Sequence, residues 1–250
     1  MSGHSKWANI KHKKAAADAK KGKVFSKLAR EITISVRQNG GDPSSNLGLR
    51  TLLQKARGVN MPADNIDRAI KKGTGELQGE RLEEIMFEGF FPGGVAIVVQ
   101  ALTDNRNRTV AEIRHIFTKF SASLAGQGQV LRSFPRRGYI LVDQSAAAED
   151  RLMELILEAG AEDMKQEEER YEIITDPSQF NAVVEALSKA EIKTESAELT
   201  LLPESWAPVS DKEKASSLVR FIEELEELDD VQNVYSNADI DESVMKELEG

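Results

Sequence analysis

The chain of 250 residues has no cysteine, only three histidines and a 6% share of aromatic residues. It also has no apolar run near the ~20 residues that a membrane-spanning helix requires. Without cysteine there is no disulfide framework, no thiolate zinc site and no cysteine nucleophile. His4, His12 and His115 stand in unrelated contexts, without carboxylates at ligand spacing, so no metal site is expected. No G-x-S-x-G, Walker-type loop or well-placed G-x-G-x-x-G occurs. Gly73-Thr74-Gly75 and Gly126-Gln127-Gly128 are too short to cradle a phosphate. Carboxylate pairs are common on the acidic helices, and that abundance removes their specificity. Catalysis, a cofactor and a small-molecule substrate are therefore not expected. The opening Met1-Ser2-Gly3-His4-Ser5-Lys6-Trp7 lacks the apolar stretch of a secretory signal, and a cytoplasmic, reducing location is expected.

A hydrophobic fraction of 40% is low but sufficient for packed cores. The net charge of −9 argues at first against a polyanion partner. The charges are not evenly spread, however. Residues 1–72 hold 16 Lys and Arg against 5 Asp and Glu, a net of +11, whereas 73–250 hold 17 against 37, a net of −20. Such asymmetry points to nucleic acid as the partner of the basic part.

The pattern predicts an α+β protein: an N-terminal three-helix bundle plus two α/β domains, the last inserted in the middle one. Residues 1–22 read as a basic arm. A helical bundle follows over 23–75, where Val24, Leu28, Ile32 and Val36 recur every fourth residue. Leu49, Leu52, Leu53 and Ala56 line a second helix, and Asn60-Met61-Pro62 opens a third, with Pro62 in its first turn. Residues 76–137 and 203–250 form the middle domain. Its central strand is the continuously apolar Val95–Val99, and Val231–Tyr235 is a strand in need of a sheet. Residues 138–202 read β-α-β-β-α-β, the order of a ferredoxin-like unit. Pro203 and Pro208 bracket a linker, Ser210 with Glu213 forms a capping box, and the acidic run 223–230 reads as a solvated face.

The arm carries Lys6, Lys11, Lys13, Lys14, Lys20 and Lys21 beside Trp7 and His12, and suits phosphate contact by counterion release. Trp7 either stacks on a base or packs on the protein itself. Lys23, Lys27, Arg30, Arg37, Lys55, Arg57, Lys71 and Lys72 are expected to form a continuous basic face on the bundle. Asp104–Thr109 has two readings. Either the helix N-terminus with Arg106 and Arg108 holds a phosphate, or an asparagine caps the helix while the arginines pair with nearby acids. Asp64 and Asp67 at the start of the third helix would face phosphates in a major groove, so no recognition helix is assigned.

Five segments together resemble the YebC family: 1–23 (MSGHSKWANIKHKKAAADAKKGK), GGDP at 40–43, NMPADNIDRAIKKGTGE at 60–76, EGFFPGGVAI at 88–97 and ALTDNRNRT at 101–109. The resemblance covers essentially the whole chain. Members carry the label of probable transcriptional regulators; they include a promoter-binding regulator and the mitochondrial translational activator of cytochrome oxidase. It implies three domains, an N-terminal bundle and two α/β parts around a cleft, and nucleic-acid binding without catalysis. The partner it implies is promoter DNA, in a transcriptional regulatory protein. The alternative is ribosomal RNA on the ribosome, in a translation factor that relieves stalling. A lysine-rich arm with little base-reading Arg, Asn or Gln suits shape-based RNA contact slightly better. The residues it implies are Lys6, Trp7, Lys11, His12, Lys13, Lys14, Lys71, Lys72, Arg106 and Arg108. At 121–137 the chain departs from the family pattern, and Arg132 and Pro135 fit poorly in a central strand. That segment is either an edge strand with a new basic patch or a short compensated shift of reading frame.

Overall fold

The computed structural model describes residues 21–77, 82–167 and 169–249. Three helices come first: α1 (Lys21–Asn39), α2 (Leu47–Gly58) and α3 (Ala63–Thr74). The next group is β1 (Glu83–Phe91), β2 (Val95–Thr103), α4 (Arg106–Lys119) and β3 (Ser123–Leu124). Then come β4 (Arg136–Asp143), α5 (Glu149–Glu158), β5 (Ala161–Glu167), β6 (Arg170–Thr175), α6 (Phe180–Lys189) and β7 (Thr194–Leu201). The chain closes with β8 (Ala207–Val209), α7 (Lys212–Glu227), β9 (Val231–Ser236), β10 (Ala238–Ile240) and α8 (Glu242–Glu249).

In the bundle, Leu28, Ile32 and Val36 of the predicted stripe close on Leu49, Leu53, Ala56 and Ala69, whereas Val24, in the first turn, is left exposed. The buried Asn46 sets the first corner. Its Oδ1 accepts from the Leu49 N–H at 2.9 Å, and its Nδ2 donates to the carbonyls of Ser35 and Gly40 at 3.0 and 2.9 Å. Thus α2 starts beside the C-terminal end of α1. α3 runs parallel to α1: Thr33 Oγ1 donates to the Ala69 carbonyl at 3.1 Å, and one turn later Gly73 lies against Val36. A Cβ on Gly73 would meet Val36 Cβ at 2.6 Å and the Thr33 carbonyl at 2.8 Å, so only glycine permits this approach. Pro62 is the residue preceding the helix rather than part of its first turn; its carbonyl accepts from Asn65 and Ile66.

The β1–β2 hairpin is registered from Glu83 opposite Thr103 to Phe91 opposite Val95. β2 is central and almost wholly buried, and β9 takes the free edge that its own sequence required. The order is β3-β1-β2-β9. Phe91, Val95, Ile97 and Val99 face α4 and α7, where Phe117 meets Phe221 nearly edge-on at 5.1 Å. Between β2 and β9 the chain builds a second, antiparallel sheet of order β5-β6-β4-β7, covered on one face by α5 and α6. This is the ferredoxin-like arrangement, inserted into the middle α/β domain.

Three local expectations change. The stretch between the prolines contributes Ala207–Val209 to a two-stranded parallel sheet with β10; Pro208 is tolerated because both strands are edges. The cap of α7 is Asp211, which accepts from the Lys214 N–H at 2.8 Å, one residue beyond the expected Ser210. In 121–137, Ser123–Leu124 is a short strand at the edge of the first sheet, and Arg136 and Arg137 already belong to β4 of the second. The rest is a packed loop: Glu88 accepts from the N–H groups of Gly128, Val130 and Leu131 at 2.6 to 2.7 Å, while Val130 and Phe134 are buried. Among the described residues no helix is long and apolar enough to cross a membrane.

Candidate nucleic-acid interface

The first cations of α1 lie against the C-terminal end of α7. Lys23 Nζ donates to the Glu227 carbonyl and Lys27 Nζ to the Glu226 carbonyl, both at 2.9 Å, and Arg30 donates to the Asp229 carbonyl. Arg30 also pairs with the buried Asp230 at 3.3 Å. Carbonyls of a last helical turn have no intrahelical donors, and the helix dipole makes that end negative, so the lysines find ready acceptors. The expected continuous basic face is therefore interrupted: these three cations join the bundle to the middle domain. The acidic run is not simply solvated, since Asp230 is buried at its end.

Asp230 gathers the loop after β2 as well. Its Oδ2 accepts from Thr109 Oγ1 and Arg108 at 2.7 Å and from Thr103 Oγ1 at 3.0 Å, and its carbonyl accepts from the Leu102 N–H at 2.8 Å. Burial opposes its charge, but the bonds from Arg108, Thr109 and Thr103 outweigh burial and hold the carboxyl below its ordinary value. The same partners, Asp230 first and then Asp104, keep the Arg108 guanidinium firmly charged. Of the two readings for 104–109, the geometry takes the capping one. Asn105 Oδ1 accepts from the Arg108 N–H at 3.1 Å, Arg108 meets Asp104 at 2.7 Å, and Arg106 meets Glu83 at 3.1 Å. Arg106 remains largely exposed, whereas Arg108 is committed to two carboxylates.

The other bundle cations fall at two ends. Arg37 ends α1 and Lys71 and Lys72 end α3, and these ends are adjacent because the helices are parallel. Lys71 pairs with Asp67 at 2.7 Å, which raises its affinity for the proton. Lys55 and Arg57 lie in the last turn of α2, only a few residues before α3 begins and so at the opposite end, toward the start of α1. Arg37, Lys55, Arg57 and Lys72 are exposed and meet no acid at ion-pair distance among the described residues. Arg68 is a further exposed cation on α3; its spacing of three and four residues from Lys71 and Lys72 places it on their side of the helix. Lys6, Trp7, Lys11, His12, Lys13, Lys14 and Lys20 lie outside the described residues, and of Lys21 only the helical backbone is described. Among the described residues no group of three His, Asp or Glu is placed to hold a metal.

The family model for the N-terminal domain of TACO1/YebC proteins matches residues 5–76, and that for their second and third domains matches 82–238. A "Probable transcriptional regulatory protein" of Desulfatibacillum aliphaticivorans is 54% identical over 247 residues, covering 99% of this chain and 100% of that one. A protein of the same description from Natranaerobius thermophilus is 52% identical, over 98% of this chain and 99% of its own. The crystal structure of a conserved hypothetical protein, Aq1575, from Aquifex aeolicus superposes with a TM-score of 0.84 at 48% identity, covering 94% of this chain and 97% of that one. With family models over most of its length and relatives matched end to end, the chain belongs to the TACO1/YebC family.

Proposed function

We propose that the chain is a nucleic-acid-binding regulator of gene expression, a transcriptional regulatory protein that acts by binding DNA. The observation that carries this reading is the segregation of charge. A +11 head stands on a −20 body, and the head keeps Arg37, Lys55, Arg57 and Lys72 exposed and clear of acids among the described residues. Cations held in this way gain from displacing the counterions of a phosphate backbone. The body repels a polyanion and so confines contact to the head. The names of the relatives, probable transcriptional regulatory proteins, agree with this reading.

The test is fluorescence anisotropy with random-sequence duplexes, duplexes selected from a random pool, and structured RNA, each across a salt series. Promoter regulation predicts one duplex sequence bound well above the random pool. Equal affinity for every duplex sinks it, because phosphate contacts carry no sequence information. Binding to structured RNA alone would move the function to the ribosome. Deletion of 1–20 is expected to remove most of the affinity in either case.

A further inference from the structure

Two helices in this molecule carry charges at the wrong ends. A helix N-terminus is positive and favours acids, but α1 has none in its first turn and opens instead with Lys21 and Lys23. A helix C-terminus is negative and favours bases, but α7 has none in its last turn; Glu223, Glu224, Glu226 and Glu227 are followed by Asp229 and Asp230. Each defect is corrected by the other helix, through the bonds of Lys23 and Lys27 to the last two carbonyls of α7 and of Arg30 to the Asp229 carbonyl just beyond it. Among the described residues no buried apolar cluster spans this contact. The bundle core of Leu28, Ile32, Leu49 and their neighbours is closed on itself, separate from the cores of both α/β parts. The bonds of Lys23 and Arg30 are also open to solvent.

We propose that this contact is a latch: in the free protein the anionic end of α7 occupies Lys23, Lys27 and Arg30, and a nucleic-acid backbone that takes over these cations releases the bundle from the body. The end of α7 thus acts as an internal mimic of phosphate. It presents carbonyl oxygens and the negative end of a helix dipole to Lys23 and Lys27, and a carbonyl and the Asp230 carboxylate to Arg30, where a polyanion would present phosphate oxygens. The proposal rests on the nucleic-acid reading above and adds to it the event that binding triggers. Binding then requires the latch to open, so affinity depends on acids that never touch the ligand.

The experiment uses the full chain, which has no native cysteine. Cysteines introduced by Gln54→Cys on α2 and Glu158→Cys on α5, both exposed, carry a donor and an acceptor dye. Transfer efficiency is followed as salt rises from about 0.05 to 1 M, the range over which the screening length falls below an ion-pair network's reach. It is followed again as a labelled 20-base-pair duplex is added at low salt, with duplex anisotropy read in the same cuvette. Efficiency is expected to depart from its low-salt value in both titrations. The combined change Glu226→Gln, Glu227→Gln and Asp229→Asn leaves every cation of the bundle and Asp230 in place. It keeps the three backbone carbonyls and removes only the negative charge around them, and is expected to open the latch at lower salt and to tighten duplex binding about 3-fold. The cation-side variant Lys23→Gln with Lys27→Gln should be open at every salt concentration, with circular dichroism reporting an unchanged helix content. Duplex binding with constant transfer efficiency would overturn the latch and leave the proposed function standing. A chain that binds neither duplex nor RNA overturns both. Efficiency indifferent to salt in all three proteins overturns the latch on its own.

Discussion

Two groups of cations on one bundle meet different fates. Lys23, Lys27 and Arg30 point at the end of α7 and are engaged there, whereas Arg37, Lys55, Arg57 and Lys72 stay in solvent without an acid at ion-pair distance among the described residues. The residue types are the same; what differs is the element that lies opposite. The acids divide in the same manner. Asp230 is buried among Arg30, Arg108, Thr103 and Thr109, and those partners keep it ionised. Glu172, buried in the central part of the ferredoxin-like sheet, has among the described residues the Tyr139 hydroxyl donating to it at 2.7 Å, and burial pushes its carboxyl up to about 7. A charge in this protein is structural or available according to its tertiary neighbours, and the two cases respond differently to mutation and pH.

The largest effect is expected from Asp230→Ala. It strips three donors of one acceptor and removes the partner of Arg30, and the loss should be about 3–5 kcal/mol, as for breaking a buried charged pair; urea unfolding checks it. Because the folded carboxyl titrates below its ordinary value, the stabilisation from Asp230 is present above that value and disappears as pH falls through the folded one. Glu172 has the opposite sign. Its raised pKa means the folded state holds a proton that the unfolded chain has released. Stability is therefore full below pH 4.5 and declines as pH rises toward 7. The decline should amount to roughly 2–3 kcal/mol. Glu172→Gln should flatten that slope, and an unchanged slope would assign it to another group.

Arg108→Ala should destabilise by about 1–3 kcal/mol, because Asp230 loses a charged donor, whereas exposed Arg106→Ala should stay within about 0.5 kcal/mol. Equal effects would contradict the division between engaged and exposed arginines. The smallest change in stability is expected for Lys55→Ala with Arg57→Ala, again within about 0.5 kcal/mol. Its effect should appear in binding instead: the slope of log affinity against log salt is expected to fall by about 0.9 for each phosphate that the variant no longer neutralises.

The fold was largely legible because its signals are local. The four-residue spacing of Leu28, Ile32 and Val36 marks a buried helix face, and the unbroken apolar run Val95–Val99 marks a central strand. The order of elements over 138–202 names the ferredoxin-like unit, and the orphan strand at 231–235 demands a sheet across the insertion. Details that hinge on one residue were less legible. Asp211 rather than Ser210 caps α7, since both residue types cap well and only the turn of the chain decides between them. The Glu88 carboxylate feeding three N–H groups of a loop some forty residues away had no counterpart in any sequence pattern.

Charge shows the limit most clearly. The amino-acid sequence by itself determined that the first 72 residues are basic and the remainder acidic, that residues 23–75 are helical, and which apolar residues recur along each helix. Only the tertiary structure decided which of those cations remain for a partner. Lys23 meets the Glu227 carbonyl across 204 positions and Lys27 the Glu226 carbonyl across 199. Helical periodicity fixes which residues share a face within a helix. It carries no information about which distant helix end will be packed against that face, and at a distance of about 3 Å that end is what sets the fate of a charge.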